Sequence, residues 1–229
     1  METGLIGIVG GLGPAATIHY YVGLLAACKR RGVSPRLIIN QAAVELVLEA
    51  AGRGDRNALA DHIAERMAEL RRAGAGLLAV AAVTPHLCLP EIVRRMPDDR
   101  IIDIIAVTGE ELRRRGMTRV ALMGTRATVA SRLFGRLEAI VVDPTPAQID
   151  RVHELYVTIV RREQVDEDVA IELRKLAADY FDQLDVEAIV LAGTELALAP
   201  PQTWEGMSVV DCAALHMEAI VAASVPNRA

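Results

Sequence analysis

Two apolar runs in this chain end in residues that can hold or move a proton. LAVAAVTPH, spanning 78–86, delivers Thr84 and His86; AIVLAGTEL, spanning 188–196, delivers Thr194 and Glu195. A histidine titrates near neutrality, and a carboxyl taken out of water has its pKa raised toward the same range. Threonine hydroxyls beside such groups can hold a carboxylate or an oxyanion. Two later residues join the candidates for proton transfer: Cys212, which follows Asp211, and His216. Each candidate has a quieter alternative: a histidine satisfying a helix end or a loop, a glutamate paired to a backbone donor, a buried inert cysteine. Cys88, two positions past His86, is expected to point away from it. His19, His62 and His153 lie in helical patterns without H-x-x-x-H spacing, so no histidine metal site is expected.

A glycine-rich turn, Gly10-Gly11-Leu12-Gly13-Pro14-Ala15-Ala16-Thr17, follows the first apolar run. Formally it matches the dinucleotide fingerprint. That fingerprint needs an acid after the second strand, whereas here the strand ends in Asn40-Gln41, and Pro14 removes a backbone donor. A dinucleotide is therefore set aside. A small carboxylate held by free N–H groups at the helix start fits better, with Thr17 adding a hydroxyl; a tight turn with no ligand is the alternative. Gly124-Thr125-Arg126-Ala127-Thr128 occupies the matching place later in the chain. Its threonines read as helix caps, and the same hydroxyls suit a carboxylate.

These motifs need strands and helices to hold them. Strand-like runs fall at 5–9, 36–39, 77–82, 101–105, 119–123, 138–142, 188–191 and 207–210, with the clearest helical patterns at 57–73, 146–162 and 166–184. Such alternation predicts an α/β fold of βαβ units with parallel strands. The two halves resemble each other, each opening on a strand that ends in Gly and leads to a Thr. Two lobes are expected, 1–104 and 105–211, with a last helix over 212–225 packing back on the first. Ligands of such sheets sit beyond the carboxyl ends of the strands. Gly11, Thr17, Asn40, Ala82, Val83, Thr84, Thr125, Arg126, Thr128, Gly193 and Thr194 are then the expected lining of one cleft between the lobes.

Composition narrows the partners. Of the 229 residues 52% are hydrophobic but only 3% aromatic, as expected of parallel strands covered on both faces. A net charge of −5 offers nothing to nucleic acid. Arg113-Arg114-Arg115 and Arg161-Arg162 read as solvated helix faces. No apolar run reaches the roughly 18 to 20 residues that span a bilayer. The opening METGLIGIVGG has no basic segment before its apolar one, so no signal peptide is expected. Three scattered cysteines point to a reducing cytoplasm.

Taken together, IGIVGGLGPAAT, VTPH, GTRAT, LAGTEL and VVDCAALH resemble, in this order, motifs of the aspartate/glutamate racemase superfamily, on the aspartate racemase side, over nearly the whole chain. The resemblance implies two pseudo-symmetric lobes, no cofactor (pyridoxal phosphate included), a small carboxylate ligand and a homodimer. It also implies two opposed cysteines, one abstracting and one returning an α-proton, in elements like C-N-T-x-H and G-C-T-E. Laid on this chain, the first cysteine falls on Ala82, its neighbouring Asn on Val83, and the second on Gly193. Neither a methyl group nor a hydrogen can take a proton. Ala15 likewise stands where the resembling turn carries Glu, which suggests a less polar ligand, with Trp204 and Tyr20-Tyr21 as possible lining. Three expectations follow: an enzyme of isomerase, lyase or cyclase type without the two-cysteine mechanism, an aspartate or glutamate racemase with non-thiol bases, or an inactive binding homologue.

Overall fold

The computed structural model describes residues 2–225. They divide into two compact units, one comprising residues up to Asp103 and those from His216 onward, the other Ile104–Leu215.

In the first unit three parallel strands, β1 (Glu2–Gly10), β2 (Ser34–Gln41) and β3 (Leu77–Val80), lie in the order β2-β1-β3. β3 is buried throughout, whereas the edge strand β2 carries exposed residues. The run 101–105, expected as a strand, shrinks to one parallel bridge between Leu78 and Ile101. Leu78 N donates to Arg100 O at 2.8 Å and Ile102 N to Leu78 O at 2.9 Å, after which the apolar spacing turns helical. The helices are α1 (Pro14–Arg30), α2 (Val44–Gly52), α3 (Arg56–Arg72) and α4 (Leu89–Arg95). α1 buries Tyr20, Leu24, Ala27 and Cys28, one stripe at i, i+4, i+7 and i+8. α3 starts at Asp55, whose side chain accepts from Ala58 N, and buries Leu59, Ile63, Met67 and Leu70. Each fully buried aliphatic side chain of this kind stabilises the unit by about 1.5 to 3 kcal/mol.

The second unit repeats the plan. α5 (Ile104–Arg114) leads into β4 (Arg119–Gly124), α6 (Arg126–Ala130), β5 (Ile140–Val141), α7 (Pro146–Arg162), α8 (Glu167–Leu184), β6 (Ala188–Ala192) and β7 (Val209–Asp211). The parallel order is β5-β4-β6-β7. First strand flanked by the second on one side and the third on the other: β4, β5 and β6 repeat β1, β2 and β3, and β7 has its counterpart in the Ile101 bridge. α7 begins with a capping box, Thr145 with Gln148, followed by Pro146 at its first position. It buries Val152, Leu155 and Ile159.

The last helix, α9 (Cys212–Ser224), starts right after β7 and crosses the division: its residues from His216 onward group with the first unit. No described helix is long and apolar enough to cross a membrane.

Candidate active site

In the first unit the glycine-rich turn closes on itself. Gly11 sits at φ +82° and donates its N–H to Thr17 Oγ1 at 2.8 Å; Thr17 Oγ1 in turn donates to Gly13 O at 3.1 Å. Thr17, expected to reach a ligand, thus staples the turn. Asn40 is turned to α3, its Nδ2 donating to Arg66 O at 3.0 Å and Glu69 Oε2 at 2.6 Å. Both side chains serve the framework that shapes the strand ends.

Past β3, Ala82 and Val83 are buried and lead into a 3-10 turn, Thr84–Cys88. His86 is 1% exposed, and its Nδ1 lies 3.0 Å from Ala82 O. A carbonyl only accepts, so Nδ1 carries a proton. Its ring meets His216 edge to face, with centroids 5.9 Å apart. His216 is fully enclosed between two partners: Nε2 lies 3.0 Å from Ile102 O and Nδ1 2.9 Å from the Tyr20 hydroxyl. Nε2 must donate to the carbonyl, and in the neutral ring Nδ1 then accepts from Tyr20. Burial, helped by the neighbouring His86, lowers its pKa to about 3. This geometry makes His216 a tie between α1, the segment at Ile102 and α9, with no proton to exchange near neutrality. Cys88 donates to Pro85 O at 3.1 Å, and burial pushes its thiol up to about 12.

In the second unit the turn after β4 is a helix start. Thr125 caps α6 by accepting from Thr128 N at 3.2 Å, and the two hydroxyls lie 2.9 Å apart. Arg126 pairs with Asp150 of α7 on the surface. A Cβ on Gly124 would stand 2.8 Å from Ala192 O, so glycine lets β4 and β6 close at this level.

After β6 the groups converge. Glu195 is 3% exposed, and its Oε2 accepts from Thr194 Oγ1 at 3.0 Å and from the hydroxyl of Tyr156 on α7. Burial raises the Glu195 pKa, while the two hydrogen bonds pull it the other way. Burial also drives the Tyr156 hydroxyl well above the ordinary phenol range, with the Glu195 charge adding to it. Cys212 is buried, hydrogen-bonded with Thr108, and has its thiol raised by burial to about 12. At neutral pH it stays a thiol. Asp211 Oδ1 accepts from the N–H groups of Ala213 and Ala214, starting α9.

The structure therefore brings Gly193, Thr194 and Glu195 together at one strand end and Ala82, Val83, Thr84 and His86 at another. It gives Thr17, Asn40, Thr125, Arg126 and His216 partners of their own. Of the aromatics expected as lining, Tyr20 holds His216, Tyr21 is 47% exposed, and Trp204 packs against the second unit's core. Tyr156 was not among the expected residues. Its place beside Val152, Leu155 and Ile159 reads as an ordinary core-facing helix stripe, and no local motif marks it. A cavity of about 460 Å³, lined by Leu112, Arg113, Met117, Thr118, Glu138 and Ile140, opens at the amino ends of β4 and β5, away from these groups. Among the described residues no cluster of three or more His, Cys, Asp or Glu is arranged to hold a metal ion.

A sequence model of the Asp/Glu/hydantoin racemase family matches residues 9–220. Among solved structures, an aspartate racemase homologue from Pyrococcus horikoshii is 26% identical with a TM-score of 0.76, covering 96% of this chain and 98% of that one. Picrophilus torridus aspartate racemase is 20% identical with a TM-score of 0.77, covering 96% and 94%. A mutant of arylmalonate decarboxylase in its liganded form is 15% identical with a TM-score of 0.63, covering 99% and 94%. With a family model spanning nearly its full length and its α/β fold shared by these structures, the chain belongs to the Asp/Glu/hydantoin racemase family.

Proposed function

We propose that this family member is a cofactor-independent enzyme that moves a proton at carbon in a small carboxylate without a pair of thiols, by isomerase, lyase or cyclase chemistry. The observation that carries the reading is the chemistry of the two strand ends. Ala82 and Gly193, the positions that the family resemblance gives to cysteines, carry no titratable atom, while His86 and Glu195 stand a few residues beyond them. All three cysteines, Cys28, Cys88 and Cys212, are buried, and burial raises each thiol pKa. A buried neutral thiol is a poor base. Thr84 and Thr194, with nearby backbone N–H groups, are the proposed carboxylate or oxyanion holders. The protein is further proposed to act as a homodimer in the cytoplasm.

The likeness to an arylmalonate decarboxylase makes loss of CO2 from a substituted malonate one reaction to test. Incubation in D2O with aspartate, glutamate and 2-substituted malonates, followed by NMR and chiral analysis, should give deuterium at carbon, or decarboxylation, with one stereochemical outcome. Rapid interconversion of both enantiomers of aspartate or glutamate would overturn this reading. It would favour a racemase with non-thiol bases, the second reading, to which the 26% identity with an aspartate racemase homologue lends support.

A further inference from the structure

Residue 193 has no side chain, and the reason lies on α7. A Cβ built on Gly193 would stand 2.5 Å from Cε2 of Tyr156, 3.3 Å from Cδ2 and 3.4 Å from Cζ. The aromatic edge therefore fills the space into which any side chain at 193 would project. The ring is held at its far end too, since its hydroxyl donates to Glu195 Oε2, the oxygen that also takes the Thr194 hydroxyl. A phenol, a carboxyl and a hydroxyl are gathered at the mouth of a strand whose five residues are all buried. An oxygen acid linked to a second, enclosed acid can give up one proton and be refilled by its neighbour.

We infer that Tyr156 and Glu195 form a proton-donating couple that delivers to one face of a carbanionic carbon in a small carboxylate substrate. This rests on the enzymatic reading above and names its working groups. With Glu195 in its acid form, which burial favours, the contact runs from Oε2–H to the phenolic oxygen, and the phenol O–H bond breaks as a C–H bond forms at the substrate carbon. The O–H electron pair stays on the phenolic oxygen, and the carboxyl proton moves onto it. The product leaves with the new hydrogen; the couple is left as phenol and carboxylate, one proton poorer, and water restores it. The electron pair at carbon comes from a C–CO2 bond of the substrate itself, whose carboxylate leaves as CO2. Tyr156 is the donor, and Glu195 the positioning residue that reloads it.

The test compares the parent protein with three variants in D2O, using the aspartate, glutamate and substituted-malonate panel. Tyr156→Phe keeps the ring and should hold the melting temperature within a few degrees. It should lower incorporation of deuterium at carbon by roughly 100- to 10,000-fold, the range of a lost general acid. Glu195→Gln keeps an acceptor but cannot release a proton, so it should flatten the pH profile and leave KM near the parent value. Gly193→Ala should lower the melting temperature by several degrees, because the ring must give way. Parent-like exchange in Tyr156→Phe, or a parent-like melting temperature in Gly193→Ala, overturns the inference while the enzymatic reading stands. Silence of the parent protein across the whole panel overturns that reading, and the inference with it.

Discussion

β3 and β6 each lie beside the first strand of their unit, across it from the second, and each is buried along its whole length. Their ends differ in what comes to meet them. Beyond β3, His86 turns back to the carbonyl of Ala82 in the turn just past the strand, and its ring rests on His216. Beyond β6, Glu195 reaches a phenol on a helix that precedes it by 39 residues. One backbone plan thus yields a histidine end tied to the framework and an acid end tied to a helix. The reactive character of such an end is set less by the strand than by which helix side chain reaches it.

Removing the tie should break this comparison most sharply. His216→Ala leaves the Tyr20 hydroxyl and the Ile102 carbonyl without their buried partner, and opens a cavity as well. With two buried hydrogen bonds lost and a cavity left behind, the loss in stability should reach about 3 to 5 kcal/mol by chemical denaturation. A loss under 1 kcal/mol would mean that the two histidines do not form a framework.

The same residue predicts a pH dependence. The folded pKa of His216 lies near 3, below its ordinary value of 6.5, so between these values the unfolded chain binds a proton that the folded one refuses. Its contribution is fully present above about pH 6.5, falls as the pH drops toward 3, and levels off below. Denaturation midpoints measured across that window should show a slope that His216→Ala lacks.

Two glycines sharpen the contrast within the second unit. At Gly124 the obstacle is the backbone carbonyl of Ala192, at 2.8 Å from the added Cβ; at Gly193 it is the ring of Tyr156, at 2.5 Å. A side chain yields more readily than a strand. Gly124→Ala should therefore cost the upper part of the roughly 1 to 3 kcal/mol that overpacking entails, and Gly193→Ala the lower part. Equal losses would show that the ring is as immovable as the strand. Smallest of all, Thr125→Ala removes the α6 cap and should cost about 1 kcal/mol, read from the melting temperature.

Much of this architecture was legible in the sequence because parallel strands buried on both faces must be written as short aliphatic runs, and the turns after them as Gly and Thr. LLAV and AIVLA announce β3 and β6 in that way. The run at 101–105 misled because isoleucines suit both a strand and the apolar face of α5, and periodicity cannot separate so short a stretch. The site was legible only where its residues are neighbours in the chain. Gly193-Thr194-Glu195, a candidate by sequence, is one word; the tyrosine that bonds to it lies in a helix stripe indistinguishable from core. His216 misled for the same reason, since its partner Tyr20 is 196 residues away. Hydroxyl residues at turns posed a further ambiguity: Thr17 and Thr125 suit a ligand or a backbone N–H equally well by type, and here the backbone has them.

The path of α9 bears on how the molecule comes into being. Its residues from His216 onward group with the unit that is made earlier, so that unit cannot acquire its complete set of contacts until the stretch after Leu215 has emerged. The half encoded later, Ile104–Leu215, has all its strands in hand sooner. A polypeptide ending at Leu215 and released from the ribosome should accordingly present a finished second half attached to a first half still waiting for its closing segment.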